Sequence, residues 1–336
     1  MYVIAAIVAF GILILIHELG HFTLAKLNGV VVEEFAIGMG PKLFGIKGKN
    51  TQYSIRILPF GGYVKMLGDQ EKSDDPGAFN NKSPLQRLSI VIAGPIMNLI
   101  LAVVLYCIIG GIGGFALPTV NKLVPDAPAA KAGLKTGDQL VKINGMRILT
   151  WEDFSMGVAL AKDNPINLTV NQNGELKGYT LDTIKEEGTN RRIVGIYPEI
   201  VSAPTISQSI VYGFKETVSI IKQVFLSFKI IFTGGASLND VGGPVTIIKI
   251  TRQAAIAGII PLLTIVAFLS SQLGILNLVP FPALDGSYVL ICLYEIITGK
   301  PVDENKIGII NTIGFSILMA FMVLIIIKDI VFPVNF

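Results

Sequence analysis

Long apolar blocks alternate with polar segments along this chain. Four blocks are long enough to cross about 30 Å of hydrocarbon, which takes about 20 helical residues. They lie near residues 2 to 27, 88 to 116, 259 to 281 and 307 to 327. The last block contains no charged residue. The pattern predicts about four transmembrane helices.

The segment between the first two blocks has a different period. Residues 35 to 41 and 53 to 66 alternate apolar residues with glycine pairs and a proline. Alternation of this kind predicts strands joined by a tight turn and not a helix. We expect a membrane-associated β-hairpin region here.

Residues 118 to 200 read as an inserted α+β domain. They hold short β-type runs at 139 to 144 and 166 to 170, Asn-Gly turns, and a predicted helix from Trp151 to about Ala161. The Asn-Gly pairs stand at 144 to 145 and 173 to 174. The order of residues from Pro128 to Gly145 resembles the core of bacterial PDZ domains, so the insert is predicted to be PDZ-like.

Residues 205 to 233 are predicted to form an amphipathic helix. Lys215, Lys222 and Lys229 are spaced seven apart on an otherwise apolar helix, which suits a membrane interface. A connector packed on the inserted domain is the alternative. Gly234 and Gly235 should end this helix, and Pro244 should open a second one that runs to about Ala257.

Composition agrees with a polytopic membrane protein. Of 336 residues, 51% are hydrophobic, 15% are charged and the mean hydropathy is +0.64. Soluble domains carry roughly 25% charged residues. The net charge of +3 comes without a basic, aromatic-rich run, so no nucleic-acid partner is expected. The first block lacks basic residues before it and a cleavage site after it, so we expect it to stay as a span.

A candidate metal site lies in the first apolar block. His17-Glu-Leu-Gly-His21 is an HExxH motif, and residues four apart share one face of a helix. Both imidazoles can then reach one Zn²⁺, and Glu18 is placed to handle a water. Ionisable groups inside a span are costly and are functional by default. The alternative is that the span ends before His17, but apolar residues continue through Ala25.

Catalytic zinc takes three protein ligands, and the chain has no third histidine. The third ligand must be a carboxylate or, as the weaker choice, a cysteine; Cys107 and Cys292 have no metal-type spacing. Asp285 is the only acidic residue between Asp240 and Glu295, and it follows the third block. If the basic loop of residues 28 to 87 is cytoplasmic, the first and third spans run in the same direction and their C-terminal parts meet.

Several motifs together resemble the site-2 protease family of intramembrane metalloproteases. They are HELGH in the first block, Ala93-Gly-Pro-Ile-Met-Asn98 in the second, and the run from Asn277 to Gly286, ending in Leu-Asp-Gly, in the third. The PDZ-like insert and the segment from Gly61 to Met66 resemble the bacterial branch, which cleaves anti-sigma factors and leftover signal peptides.

The resemblance implies a role for each matching residue. His17, His21 and Asp285 would be zinc ligands, Glu18 the catalytic base, and Asn277 would help to hold the substrate. It implies a multi-pass protein of the bacterial cell membrane with the PDZ-like domain outside the cytoplasm. The oligomeric state is left open.

Two features depart from the family pattern. Ser287 and Tyr288 stand where a second glycine and a histidine are common, which bears on the turn next to Asp285. The chain also carries one PDZ-like domain where some relatives carry two. The insert could bind a peptide terminus or exclude substrates that are too large.

The sequence therefore predicts a polytopic α-helical membrane protein with a β-hairpin region and an inserted PDZ-like domain. Its parts are expected at residues 1–117, 118–200, 201–258 and 259–336. The substrate, a membrane-embedded peptide or single-span protein, would unwind and add as a strand beside Gly61, Gly62, Tyr63 and Val64. The rival functions are a non-enzymatic PDZ scaffold with structural zinc and a transporter; the second lacks a visible inverted repeat.

Overall fold

The computed structural model describes residues 2–69, 71–162, 164–186, 188, 191–234 and 242–332. Gly235, which was predicted to help end a helix, lies outside them. The helices are α1 (Tyr2–Leu27), α2 (Pro84–Gly113), α3 (Pro128–Lys131), α4 (Trp151–Ala161), α5 (Ile206–Phe232), α6 (Pro244–Ala257), α7 (Ile259–Leu278), α8 (Asp285–Thr298) and α9 (Glu304–Val331). The strands are β1 (Val32–Lys47), β2 (Gln52–Met66), β3 (Phe115–Leu123), β4 (Gln139–Ile143), β5 (Met146–Arg147), β6 (Ile166–Gln172), β7 (Glu175–Leu181), β8 (Ile184–Lys185), β9 (Arg192–Ile193) and β10 (Ile196–Val201).

The chain divides into two compact units. The first comprises Met1–Ala102 and Leu226–Phe336, and the second comprises Val103–Phe225. Among the described residues, four helices are long and apolar enough to cross a membrane: Val8–Leu27 of α1, then α2, α7, and Asn305–Val331 of α9. Each coincides with one of the predicted apolar blocks.

The start of α2 shows why a helix boundary differs from its apolar block. Helix α2 begins at Pro84, several residues before the apolar run. The Gln86 amide donates to the Ser83 hydroxyl (3.3 Å), and the Ser83 amide donates back to Gln86 Oε1 (3.0 Å). This capping box, with proline in the first turn, satisfies free amides and starts the helix in polar sequence.

The β region of the first unit is more folded than one hairpin. Residues 61 to 66 of β2 pair with residues 32 to 37 of β1, for example Phe35 with Val64. The same part of β1 also pairs with the first half of β2, which in turn pairs with residues 42 to 47. Residues 61 to 66 therefore form one edge of this small sheet, and no other described strand pairs with them.

The third apolar block ends earlier than its composition suggests. Helix α7 stops at Leu278, and Asp285 begins a separate helix, α8, which the sequence did not predict. A Cβ atom at Gly286 would lie 2.5 Å from the Leu278 carbonyl oxygen, so only glycine allows α8 to start this close to α7. Asp285 is thus the first residue of a new helix and not the end of the third span.

The second unit contains the inserted α+β domain. Its sheet has the order β10-β3-β4-β6-β7, with β5 beside β4, and its core includes Ile143, Phe154 and Leu168. Asn144 and Asn173 both have positive φ (47° and 53°), as expected for the predicted Asn-Gly turns. Helix α4 has the predicted bounds. The assignment of this domain as PDZ-like stays a prediction.

Helix α5 contacts the inserted domain through polar groups. The Asp153 carboxylate, at the start of α4, is fully buried. It accepts hydrogen bonds from the Ser219 hydroxyl (2.7 Å) and the Lys222 ammonium (2.6 Å). Lys222 therefore forms an ion pair with the inserted domain, which favours the connector alternative for this part of α5. An interfacial position for the rest stays a prediction.

Candidate metal centre

Three predicted ligands meet in the first unit. One metal-binding atom from each of His17, His21 and Asp285 lies within 4.8 Å of the others. Asp285 Oδ2 is 3.1 Å from His17 Nε2 and 3.5 Å from His21 Nε2, and the two Nε2 atoms are 3.1 Å apart. The structure brings together residues that are more than 260 positions apart in sequence.

These side chains fit a metal ion better than they fit one another. Asp285 Oδ2 is buried and, although it lies within 3.5 Å of both Nε2 atoms, it makes no hydrogen bond of good geometry with either. His21 Nδ1 lies 2.9 Å from the Ile90 carbonyl oxygen, so it carries the ring proton and leaves the Nε2 lone pair for a metal. Two imidazoles and one carboxylate are a donor set of catalytic zinc sites, which keep the fourth position open.

Helix α2 approaches the histidines very closely. A Cβ atom at Gly94 would lie 2.7 Å from His21 Cε1 and 2.9 Å from His17 Cε1. A Cβ atom at Gly20 would lie 2.7 Å from the Ala93 carbonyl carbon. Both distances are below van der Waals contact, so a glycine on each helix allows α1 and α2 to pack around the metal ligands. Gly94 lies within the Ala93–Asn98 motif, but its part in the site was not predicted.

Glu18 lies next to the three ligands. A cavity of about 240 Å³ is lined by the three ligands, Glu18, and residues of β2 and α8. A Cβ atom at Gly62 would lie 3.4 Å from Glu18 Cγ, in ordinary contact. The free edge of β2 is thereby adjacent to the catalytic carboxylate proposed from the sequence.

The predicted substrate-binding residues divide into two groups. Tyr63 and Val64 line the cavity, and Gly61 and Gly62 continue the same edge strand. Asn277, near the end of α7, has its Nδ2 atom 3.3 Å from His17 Nε2. The same Nδ2 atom is 3.5 Å from His17 Nδ1, so the carboxamide of Asn277 lies against both nitrogens of this ring.

A partly buried polar cluster holds this edge strand in place. Glu34 accepts hydrogen bonds from Arg56 (2.9 Å), from Tyr63 (2.7 Å) and from Ser54. Burial raises the pKa of the Glu34 carboxyl, but these hydrogen bonds and the Arg56 charge outweigh it, so its pKa lies below its ordinary value. Burial and the bond to Glu34 raise the pKa of Tyr63 to about 12. Tyr63 is therefore a neutral donor, tied to β1.

Helix α8 is fixed at both ends. Ser287, at the unusual position after Asp285-Gly286, donates its hydroxyl to the Leu284 carbonyl (2.8 Å) and so stays in the first turn of the helix. Arg87, in the first turn of α2, pairs with the buried Glu295 in the last turn of α8. With Ser287 in place of the common second glycine, Asp285 still faces the two histidines. Tyr288, one turn later, also lines the cavity.

Comparison with known proteins gives the family. The sequence profile of peptidase family M50 matches residues 5–321. A relative from Clostridium acetobutylicum is 58% identical over 99% of this chain and 98% of its own length. Its name assigns it to the zinc metalloproteases. The zinc metalloprotease RasP of Geobacillus kaustophilus is 30% identical over 98% of this chain and 97% of its own.

A third relative is the regulator of sigma-W protease RasP of Bacillus subtilis. It is 31% identical over 98% of both chains, in an alignment of 419 positions against the 336 residues here. Because the alignment is longer than this chain, the relative contains an additional segment that this chain lacks. Profile and relatives cover nearly the whole chain, including every residue of the cavity described above. The chain belongs to peptidase family M50.

Proposed function

We propose that this chain is a zinc-dependent intramembrane endopeptidase. Its substrates would be transmembrane segments of single-span membrane proteins, such as anti-sigma factors, or remnant signal peptides. One observation carries the proposal: His17 and His21 lie on α1, a helix with the length and apolarity of a span, and Asp285 at the start of α8 converges with them within 4.8 Å. The names of the relatives, which include zinc metalloproteases and a sigma-W regulator, support the same function.

The three ligands and Glu18 divide the chemistry. When bound, Zn²⁺ lowers the pKa of a water and polarises a peptide carbonyl. His17, His21 and Asp285 would hold the metal. Glu18 would accept the proton of the attacking water and deliver it to the leaving amine. Asn277, which lies beside His17, would bind the substrate backbone.

The edge strand offers a way to bind an unwound substrate. Peptide groups of a transmembrane helix are satisfied internally and must find new partners when the helix opens in an apolar medium. Residues 61 to 66 present an unpaired strand edge among the described residues, next to Glu18. We propose that the substrate pairs with this edge, which would present its peptide bond to the metal.

Proline substitution tests this edge. We expect proline, placed at alternate positions from 61 to 66, to lower kcat/KM for a single-span substrate by tenfold or more. The effect should occur at positions whose backbone amide points away from β1 and toward the substrate, because proline cannot donate that hydrogen bond. Proline at Phe44, in the strand segment at the other edge of the sheet, is the matched control. Cleavage that is equal in the control and in every variant of 61 to 66 would contradict strand addition.

The orientation in the membrane is part of the proposal. Lys and Arg in the loop from residue 28 to 87 flank the first two spans and favour a cytoplasmic loop. The inserted domain would then lie outside the cytoplasm, in a bacterial cell membrane. It would meet substrates before they reach the cavity.

Metal removal tests the function itself. Purified protein in detergent should cleave a single-span substrate, lose this activity on chelation, and regain it with about one equivalent of Zn²⁺, because no cysteine or further histidine completes a closed structural site. The measurement is substrate turnover together with bound zinc. Protein that retains zinc and shows no turnover of any single-span substrate would favour the scaffold alternative.

A further inference from the structure

The two metal-facing histidines differ in what their other ring nitrogen contacts. His21 Nδ1 meets a backbone carbonyl, that of Ile90, at 2.9 Å. His17 Nδ1 meets a side chain, the carboxamide of Asn98, with Nδ2 at 3.2 Å. The Nε2 atoms of both rings lie on the side of Asp285. Each ring thus has one nitrogen toward the metal position and one toward α2.

The contacts from α2 follow a regular order. Ile90, Gly94 and Asn98 are spaced four apart, so they lie on one face of the helix, one turn after another. Ile90 meets His21, Gly94 makes room for both rings, and Asn98 meets His17. This single face of α2 therefore contacts both histidines of the HExxH motif.

Asn98 is buried without a complete set of partners. Its side chain is fully buried, and its Oδ1 atom has no hydrogen-bond partner. Leaving a buried amide oxygen without a hydrogen-bond partner is unfavourable. The two ends of a carboxamide have the same shape, and turning it by 180° exchanges them. Oδ1 then takes the place 3.2 Å from His17 Nδ1, where an N–H can satisfy it.

We propose that Asn98 is a positioning residue that fixes the tautomer and the ring orientation of His17. An imidazole that binds a metal through Nε2 carries its proton on Nδ1 and needs an acceptor there. Asn98 Oδ1 is that acceptor when the metal is bound. Ile90 supplies the equivalent acceptor for His21 through its backbone, which no substitution removes.

Asn277 also lies near His17. Its Nδ2 atom is 3.3 Å from Nε2 and 3.5 Å from Nδ1, so it contacts both ring nitrogens, whereas Asn98 contacts Nδ1 at 3.2 Å. Asn277 is partly exposed, whereas Asn98 is enclosed. The backbone carbonyl of Asn98 also accepts a hydrogen bond from Ser270 (2.7 Å), which ties this turn of α2 to α7.

This inference rests on the proposed zinc site, and zinc affinity is its first test. The dissociation constant is measured by competition with a chelator on the detergent-purified full chain. We expect Asn98→Leu, which keeps the size but removes the acceptor, to weaken zinc binding about 10- to 100-fold. Asn98→Asp keeps an acceptor and should retain affinity within a few-fold. Ser270→Ala, the control, loses only the contact to the Asn98 backbone.

The outcomes separate the possible failures. Equal loss of zinc in Asn98→Asp and Asn98→Leu, or wild-type affinity in Asn98→Leu, would overturn the role of the acceptor. Wild-type protein that binds no zinc would overturn the proposed function instead.

A second measurement needs no variant. The chain contains only two histidines, so ¹⁵N-histidine labelling gives two imidazole spectra. With Zn²⁺ bound, both rings should show a protonated Nδ1. A His17 ring protonated on Nε2 would contradict the proposal even if no Asn98 variant folds.

Discussion

Replacing Glu18 by glutamine should abolish cleavage while zinc binding is retained. Glutamine has the size of glutamate but cannot accept the proton of the attacking water. Loss of a general base typically lowers the rate by roughly 10²- to 10⁴-fold. Glu18 is not one of the three converging ligand residues, so the zinc stoichiometry should stay at that of the wild type. Turnover of a single-span substrate and metal content are measured on the same preparation.

A neighbouring glutamate provides the control for this substitution. Glu33 is partly exposed, pairs with Lys65 at 2.8 Å, and is not among the described residues that line the cavity. Glu33→Gln should leave turnover within a factor of two or three, because exposed ion pairs contribute little. A Glu18→Gln protein that holds zinc and cleaves at the wild-type rate would remove Glu18 from the mechanism.

Replacing Gly94 by alanine should abolish zinc binding as well as cleavage. The added methyl group would lie 2.7 Å from His21 Cε1 and 2.9 Å from His17 Cε1, and the close packing of α1 on α2 leaves little space for it. Either the imidazoles rotate or the helices separate, and both movements break the ligand geometry. We expect zinc affinity to fall by 100-fold or more, on the order of 3 kcal/mol.

Gly111 on the same helix is the matched control. A methyl group there would have its nearest neighbour, Ser209 Oγ, at 3.4 Å, an ordinary contact. Gly111→Ala should therefore keep zinc affinity and turnover near the wild-type values. If Gly94→Ala also binds zinc as the wild type does, α2 cannot approach the histidines as closely as described here.

The three converging candidate ligands were predictable because histidine spacing and the scarcity of other ligand residues are visible in the sequence. His17 and His21 are four apart on one helix, which is visible in the sequence alone. Asp285 was predicted as the third ligand because the chain has no third histidine and few acidic residues lie near the third apolar block. The four apolar helices were predictable because crossing a bilayer requires about 20 apolar residues in a row.

The groups around the ligands were not predictable in the same way. Helices α1, α2 and α7 are apolar on nearly all sides, so no pattern shows which face packs against which neighbour. The contacts of Gly94 and Asn98 with the histidines depend on that rotation. Helix α8 was missed because its start directly follows the apolar, proline-rich run after Leu278, which continues the third apolar block. Its close start on α7 depends on Gly286.

The β region shows a further limit. Its alternation correctly predicted strands, but the register cannot be obtained from a sequence with glycine at positions 38, 40, 61 and 62. The structure folds β1 and β2 back on one another, with several irregularities in the pairing. Only this register shows that residues 61 to 66 form an edge next to Glu18.

The position of the cut in a defined substrate tests the central claim most directly. Purified protein is incubated with a single-span membrane protein, and the products are identified by mass spectrometry, with the Glu18→Gln protein as the blank. We predict new termini inside the apolar segment, dependent on Zn²⁺ and missing from the blank. Cuts confined to the polar flanks, or cuts of equal yield in the blank, would contradict intramembrane proteolysis by this site.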